Sequence, residues 1–110
     1  MRLEGFSPRE TELLGIAVAA METAGYDIAL IQLLIRADLP PGYRGMSWEN
    51  GAVLGVEAFS SQAMLNHVLE EELLHLLQRW RGLMKEFGPG TASVLEVEAD
   101  AERRFPLPGA

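Results

Sequence analysis

The chain has 110 residues, enough for one domain, and is 48% hydrophobic against 23% charged, a composition that can bury a core and excludes a disordered chain. It contains no cysteine, which rules out disulfides, thiol nucleophiles and thiolate zinc sites, so any metal must be held by His, Asp or Glu. Lys and Arg total 9 against 16 Asp and Glu, and the formal charge of -7 would be repelled by phosphate, which argues against nucleic acid as a partner.

The first residues carry Arg2 and Glu4 and no apolar h-region, so the expected address is the cytoplasm. A first helix follows. Ser7 is its N-cap, Pro8 occupies the first helical position, and Glu10 completes a capping box. Leu13, Leu14, Ile16, Ala17, Ala20 and Met21 supply its apolar face, and Gly25 stops it. The apolar stretch from Leu13 to Met21 is broken by Gly15 and is far short of the roughly 20 residues that cross a bilayer, so no membrane partner is expected.

Asp27 to Asp38 reads as a half-covered strand, with Ala29, Ile31, Leu33 and Ile35 on one face. A short helix is the other reading, since Leu and Ala are common there. Leu39 to Gly45 is a loop by its Pro and Gly content. A second strand, Ala52 to Phe59, follows the turn dipeptide Asn50-Gly51 and is expected at an exposed sheet edge, which leaves a homo-oligomer open. Ser60 or Ser61 caps a long helix to about Glu86, ended by Gly88-Pro89-Gly90. Thr91 or Ser93 caps a last helix, Val94 to about Arg104. The expected class is α+β: an N-terminal helix, a small antiparallel β-sheet, an active-site helix and a C-terminal helix in one domain, residues 1–110.

Both histidines lie on the long helix, in the run His67-Val68-Leu69-Glu70-Glu71-Glu72-Leu73-Leu74-His75-Leu76-Leu77-Gln78. On a wheel turning about 100° per residue, His67 and His75 flank Glu71 by about 40° on either side. Gln78 and Gly82 share the stripe. Leu69, Leu73, Leu76, Trp80 and Leu83 take the opposite face, which must be core. Met64, Val68 and Leu74 flank the polar stripe and ask for cover, which suits a cleft wall. Glu71 and His75, four apart, bring their side-chain ends close enough for two ligands of one metal. Glu72 points about 100° away and can reach the reacting water. Glu71-Glu72-Leu73-Leu74-His75 has the spacing of the His-Glu-x-x-His helix, with Glu in place of the first His. The plain alternative is a solvated acidic face, although three like charges in a row gain little unless a cation sits among them. A third ligand must come from elsewhere, and Glu96-Val97-Glu98-Ala99-Asp100 offers one.

With these residues the chain resembles a minimal zincin-like metallopeptidase of the branch whose third ligand is a glutamate. There the active-site helix is followed by a Glu-x-x-Ala-(Asp or Asn) helix, matched by Glu96 to Asp100. It also resembles small bacterial zincin-like domains of polymorphic-toxin systems, whose Glu-Glu-x-x-His-x-x-Gln is reproduced by Glu71, Glu72, His75 and Gln78. The resemblance spans roughly residues 26 to 104, with about ten sharp positions. It implies a peptidase acting on a peptide or protein substrate, with Glu71, His75 and Glu96 as metal ligands, Zn2+ as the first choice of ion, and Glu72 as general base.

The chain departs from the wider family at Glu71, where most members have His, and a carboxylate there makes the water less acidic. A non-catalytic metal-binding or protein-interaction domain on the same scaffold is the alternative, and a metal-free helical interaction module is a third reading. His67 stays open as an alternative ligand, a partner of Glu71 or a surface residue, and Glu98 as an alternative third ligand. Tyr43 is a packing anchor or an oxyanion donor, and Trp48 and Trp80 are expected in the core.

Overall fold

The computed structural model describes residues 1–84 and 104–109. Its elements are β1 (Arg2–Glu4), α1 (Pro8–Thr23), β2 (Leu33–Arg36), β3 (Gly45–Trp48), β4 (Gly51–Leu54) and α2 (Gln62–Met84). Single 3₁₀ turns at Ile28–Leu30 and Val56–Phe59 lead into β2 and out of β4. The chain is α+β. No helix among the described residues is long and apolar enough to cross a membrane.

Helix α1 begins and ends where its residue types require. Ser7 Oγ accepts from Glu10 N at 3.1 Å, and Glu10 Oε1 accepts from Ser7 N at 2.9 Å, so each satisfies an otherwise orphaned donor. At the other end Gly25 has φ of +94°, which lets Tyr26 N reach Met21 O and Gly25 N reach Glu22 O, both at 3.0 Å. These two bonds form a Schellman motif, and a side chain at Gly25 would strain it. Leu14, Ala17 and Met21 are buried, whereas Ile16, expected on the apolar face, is 52% exposed.

The sheet order is β1-β2-β4-β3. β1 and β4 both run parallel to β2, and only the β3–β4 pair is antiparallel, so the sheet is mixed where an antiparallel one was expected. The reason lies in the connections. Helix α1 carries the chain back from β1 to a parallel neighbour, and β3 itself runs back after β2, so that β4, joined to it by the two residues Glu49-Asn50, lies parallel to β2. β1 has only three residues, too few for a periodic signal, and β3 lies in a stretch whose Gly residues read as loop.

Both expected strands are shorter than their apolar runs. Asp27 Oδ1 accepts from Ala29 N at 3.0 Å and starts a 3₁₀ turn, so β2 begins only at Leu33. β4 stops at Leu54 because the chain then enters the second 3₁₀ turn, in which Ala58 N donates to Gly55 O at 3.1 Å. β4 is therefore an interior strand and the exposed edge on this side is β3.

One face of the sheet carries Leu34, Ala52 and Leu54, all fully buried against the helices. Arg36 points to the same side, and its Nε donates to Glu10 Oε2 at 2.9 Å, with both side chains 15% exposed. Helix α2 is capped by Ser61, whose Oγ accepts from Met64 N at 3.0 Å. It buries Leu65, Val68, Leu69, Leu73, Leu74 and Leu76. Trp80 is 52% exposed instead of lying in the core. Tyr43 is likewise exposed, and Trp48 is half-buried with Nε1 donating to Asn50 Oδ1 at 3.1 Å. The expected last helix lies outside the described residues except at Arg104, which sits in a bend.

Replacing Ser7 with Ala should cost about 1 kcal/mol, as for other N-caps, read as a lower urea midpoint with unchanged slope. The backbone N–H of Ser7 and then the Arg36 guanidinium hold the Glu10 carboxyl below its ordinary pKa, although partial burial opposes them. A lowered folded value means that the stabilisation is present above the ordinary carboxylate range and is lost as pH falls through the lowered one. Glu10→Gln should therefore flatten the acid limb of a stability–pH curve.

Candidate functional site

Helix α2 places Glu70, Glu71 and Glu72 on three different sides, about 100° apart. Their surroundings differ accordingly. Glu70 is 1% exposed, Glu72 is 4% exposed, and the Glu71 side chain is 36% exposed.

Glu72 points towards the edge strand. β3 presents Gly45 and Ser47 to α2, because successive strand residues alternate and these two share the face of Leu54 and Ala52, their partners on β4. Ser47 faces the Glu72 carboxylate and favours its charged form. A Cβ at Gly45 would lie 2.7 Å from Glu72 Oε2 and 3.0 Å from Val68 Cγ1, so the close approach of strand and carboxylate depends on glycine there. Burial pushes the Glu72 carboxyl above its ordinary pKa, and the Glu71 charge adds to the rise. The His75 charge, the nearby Ser47 hydroxyl and the Arg79 charge act against it without cancelling it.

Glu71 and His75 share the stripe beside Glu72. His75 Nδ1 lies 3.4 Å from Gln78 Oε1, so the four residues of the Glu-Glu-x-x-His-x-x-Gln pattern form one neighbourhood. His67 joins it from the preceding turn. Its Nε2 lies 2.9 Å from Glu71 Oε1, and its Nδ1 lies 2.9 Å from the carbonyl of Phe105. A carbonyl only accepts, so Nδ1 carries the hydrogen of that bond. At 5% exposure His67 is no surface residue but a buried partner of Glu71.

The two candidate third ligands, Glu96 and Glu98, lie outside the described residues. Among the described residues no three His, Asp or Glu side chains are grouped so that they could hold a metal ion. The donors on α2 amount to one carboxylate and one imidazole four residues apart, which suits two of the three protein ligands of a zinc site. His67 on Glu71 is the kind of outer partner that orients a ligating carboxylate.

Sequence reasoning missed Ser47 and Gly45, because the strand that carries them read as loop. It also missed Glu70, the most buried of the three glutamates. Glu70 Oε2 accepts from the Tyr26 hydroxyl at 2.6 Å and from Arg104 N at 3.0 Å, and Oε1 accepts from Phe105 N at 3.1 Å. A signal existed: Leu73 and Leu74, three and four residues on, put Glu70 on an apolar stripe.

The chain was compared with protein-family models, curated proteins and solved structures, and none of them matches it.

A folded-state pKa above the ordinary value means that the fold is favoured while Glu72 is protonated, and that this contribution is lost as pH rises through the raised value. Thermal melts from pH 4 to pH 8 should therefore show Glu72→Gln at least as stable as the parent at pH 8, with a smaller fall across the range. A variant that instead loses several degrees at pH 8 would contradict this account of the buried carboxylate.

Proposed function

We propose that this chain is a minimal zincin-like metallopeptidase that hydrolyses a peptide bond in a peptide or protein substrate. The single observation that carries the reading is the Glu72 carboxylate. It is buried beneath an edge strand, raised in pKa, and adjacent to a Glu71–His75 pair at ligand spacing.

In this reading Glu71, His75 and Glu96 hold a divalent ion, with zinc as first choice. When bound, zinc supplies Lewis acidity, which acidifies water and polarises the scissile carbonyl. Glu72 takes a proton from the attacking water as the oxygen bonds to the carbonyl carbon, and delivers it to the amine nitrogen as the C–N bond breaks. A carboxyl raised towards neutrality is better matched to both transfers than an ordinary glutamate. Ser47 favours the charged form of the carboxylate, and the missing side chain at Gly45 leaves room for it under the strand. The edge strand β3 offers an extended substrate a line of backbone to pair with. A cysteine-free chain suits a reducing compartment, and the cytoplasm is the proposed location.

The second reading, a non-catalytic metal-binding or interaction domain on the same scaffold, draws on one observation. Glu71 Oε1 is already engaged by His67, so a ligand carboxylate is partly committed.

Chain purified without chelator should carry about one zinc per molecule. Added zinc at a hundred times its Kd should raise stability by about 2.7 kcal/mol. Glu71→Ala and His75→Ala should abolish that gain, and zero stoichiometry with no thermal shift would end the metal reading. Glu72→Gln should keep the zinc and lose peptide cleavage, whereas zinc binding without cleavage by the parent chain decides for the second reading. Gly45→Ala pushes the Glu72 carboxyl aside and should lower kcat at least tenfold with a small change in Tm.

A further inference from the structure

The buried Glu70 and His67 do not serve the proposed chemistry directly, yet both are spent on one short piece of backbone. Glu70 accepts the N–H groups of Arg104 and Phe105, one on each carboxylate oxygen, at 3.0 and 3.1 Å. His67 Nδ1 donates to the Phe105 carbonyl at 2.9 Å. Both main-chain groups of Phe105 are thus read by side chains that are at least nine-tenths buried. The Tyr26 hydroxyl, arriving from the end of α1, orients Glu70 at 2.6 Å. Half-buried Phe105 packs against the core cluster as an apolar anchor. The next residue is Pro106, which has no N–H, and the pair of donors that Glu70 takes ends at Phe105.

This is recognition of a short bent segment by its backbone, with the Phe105 side chain as its apolar anchor on the core. The occupant does not fill its place: a cavity of about 380 Å³ remains between residues 104–109 and Ala63 and Asn66 on α2. Release of the segment would leave Glu70 with Tyr26 alone among these three donors, and a buried carboxylate short of donors favours recapture of a similar peptide.

We propose that Glu70, His67 and Tyr26 form a peptide seat for an Arg-Phe-Pro segment, that residues 104–106 of the chain are its removable occupant, and that seating them holds the His67 ring against Glu71. The seat needs no metal ion and stands whether or not the chain is a peptidase.

The test uses full-length Phe105→Ala chain and the N-acetylated peptide Arg-Phe-Pro-Leu-Pro-Gly, whose acetyl group keeps the first N–H an amide. The slowly exchanging ring proton of His67 Nδ1, visible by NMR in the parent chain, should vanish in Phe105→Ala and return when the peptide is added. Calorimetry should find the peptide binding Phe105→Ala at least tenfold more tightly than the parent, whose seat is occupied. A peptide with Ala for Phe should not bind, and Glu70→Gln combined with Phe105→Ala should weaken binding at least tenfold. If Phe105→Ala melts too low for NMR, a rise in its Tm with the peptide, absent with the Ala peptide, is the supporting readout. An unchanged His67 proton in folded Phe105→Ala, or peptide binding by Phe105→Ala no tighter than by the parent or by the double variant, would overturn the proposal.

Discussion

The interaction on which the rest depends is the enclosure of α2's acidic run. Two of three successive glutamates, Glu70 and Glu72, diverge by about 200° around the helix, and both are buried, because Tyr26 and residues 104–105 cover one flank and β3 covers the other. A charge taken out of water without partners costs several kcal/mol. Each carboxylate therefore has to be met by donors from a different part of the chain, and those demands explain otherwise unremarkable residues. Tyr26 sits just beyond the Schellman end of α1, where its hydroxyl meets Glu70. Ser47 sits on the strand face that meets Glu72.

The two carboxylates are answered unequally, and the inequality separates structure from chemistry. Glu70 receives three hydrogen bonds spread over both oxygens, two of them from backbone. Such a group is held in place by its donors. Glu72 has the Ser47 hydroxyl and the more distant charges of His75 and Arg79, set against burial and the like charge of Glu71. Its acidity is weakened in consequence, which is the condition a proton-accepting group needs near neutral pH. The same residue type, two positions apart on one helix, is a clamp in one case and a candidate base in the other.

Between them, Glu71 links the two regions. Its oxygen is held by His67, whose other ring nitrogen reaches the Phe105 carbonyl. A continuous line of contacts thus runs from the seated segment through His67 to the stripe that Glu71 shares with His75. On the far side, the β3–β4 hairpin with its two-residue loop brings Gly45 and Ser47 to Glu72, beside that stripe. The sheet is small, and its contribution to the site is the placement of one edge strand.

The helices were legible because their signals are local. Ser7, Pro8, Glu10 and Gly25 act within a few residues of themselves, and the α2 stripe of His67, Glu71, His75 and Gln78 follows from helical pitch alone. The strands were not, since a three- or four-residue strand takes its identity from the neighbour it pairs with: β3 and β1 exist as partners of β4 and β2, and the apolar runs before β2 and after β4 were turned aside by Asp27 and Gly55. Sequence by itself therefore determined the α+β class, both ends of α1, the start of α2 and which side chains share the face of α2. Only the tertiary structure decided that Glu72 lies beneath β3, that His67 is a buried partner of Glu71, and that Glu70 clamps residues 104–105, because burial and donor supply are set by chain segments up to 44 residues away in sequence.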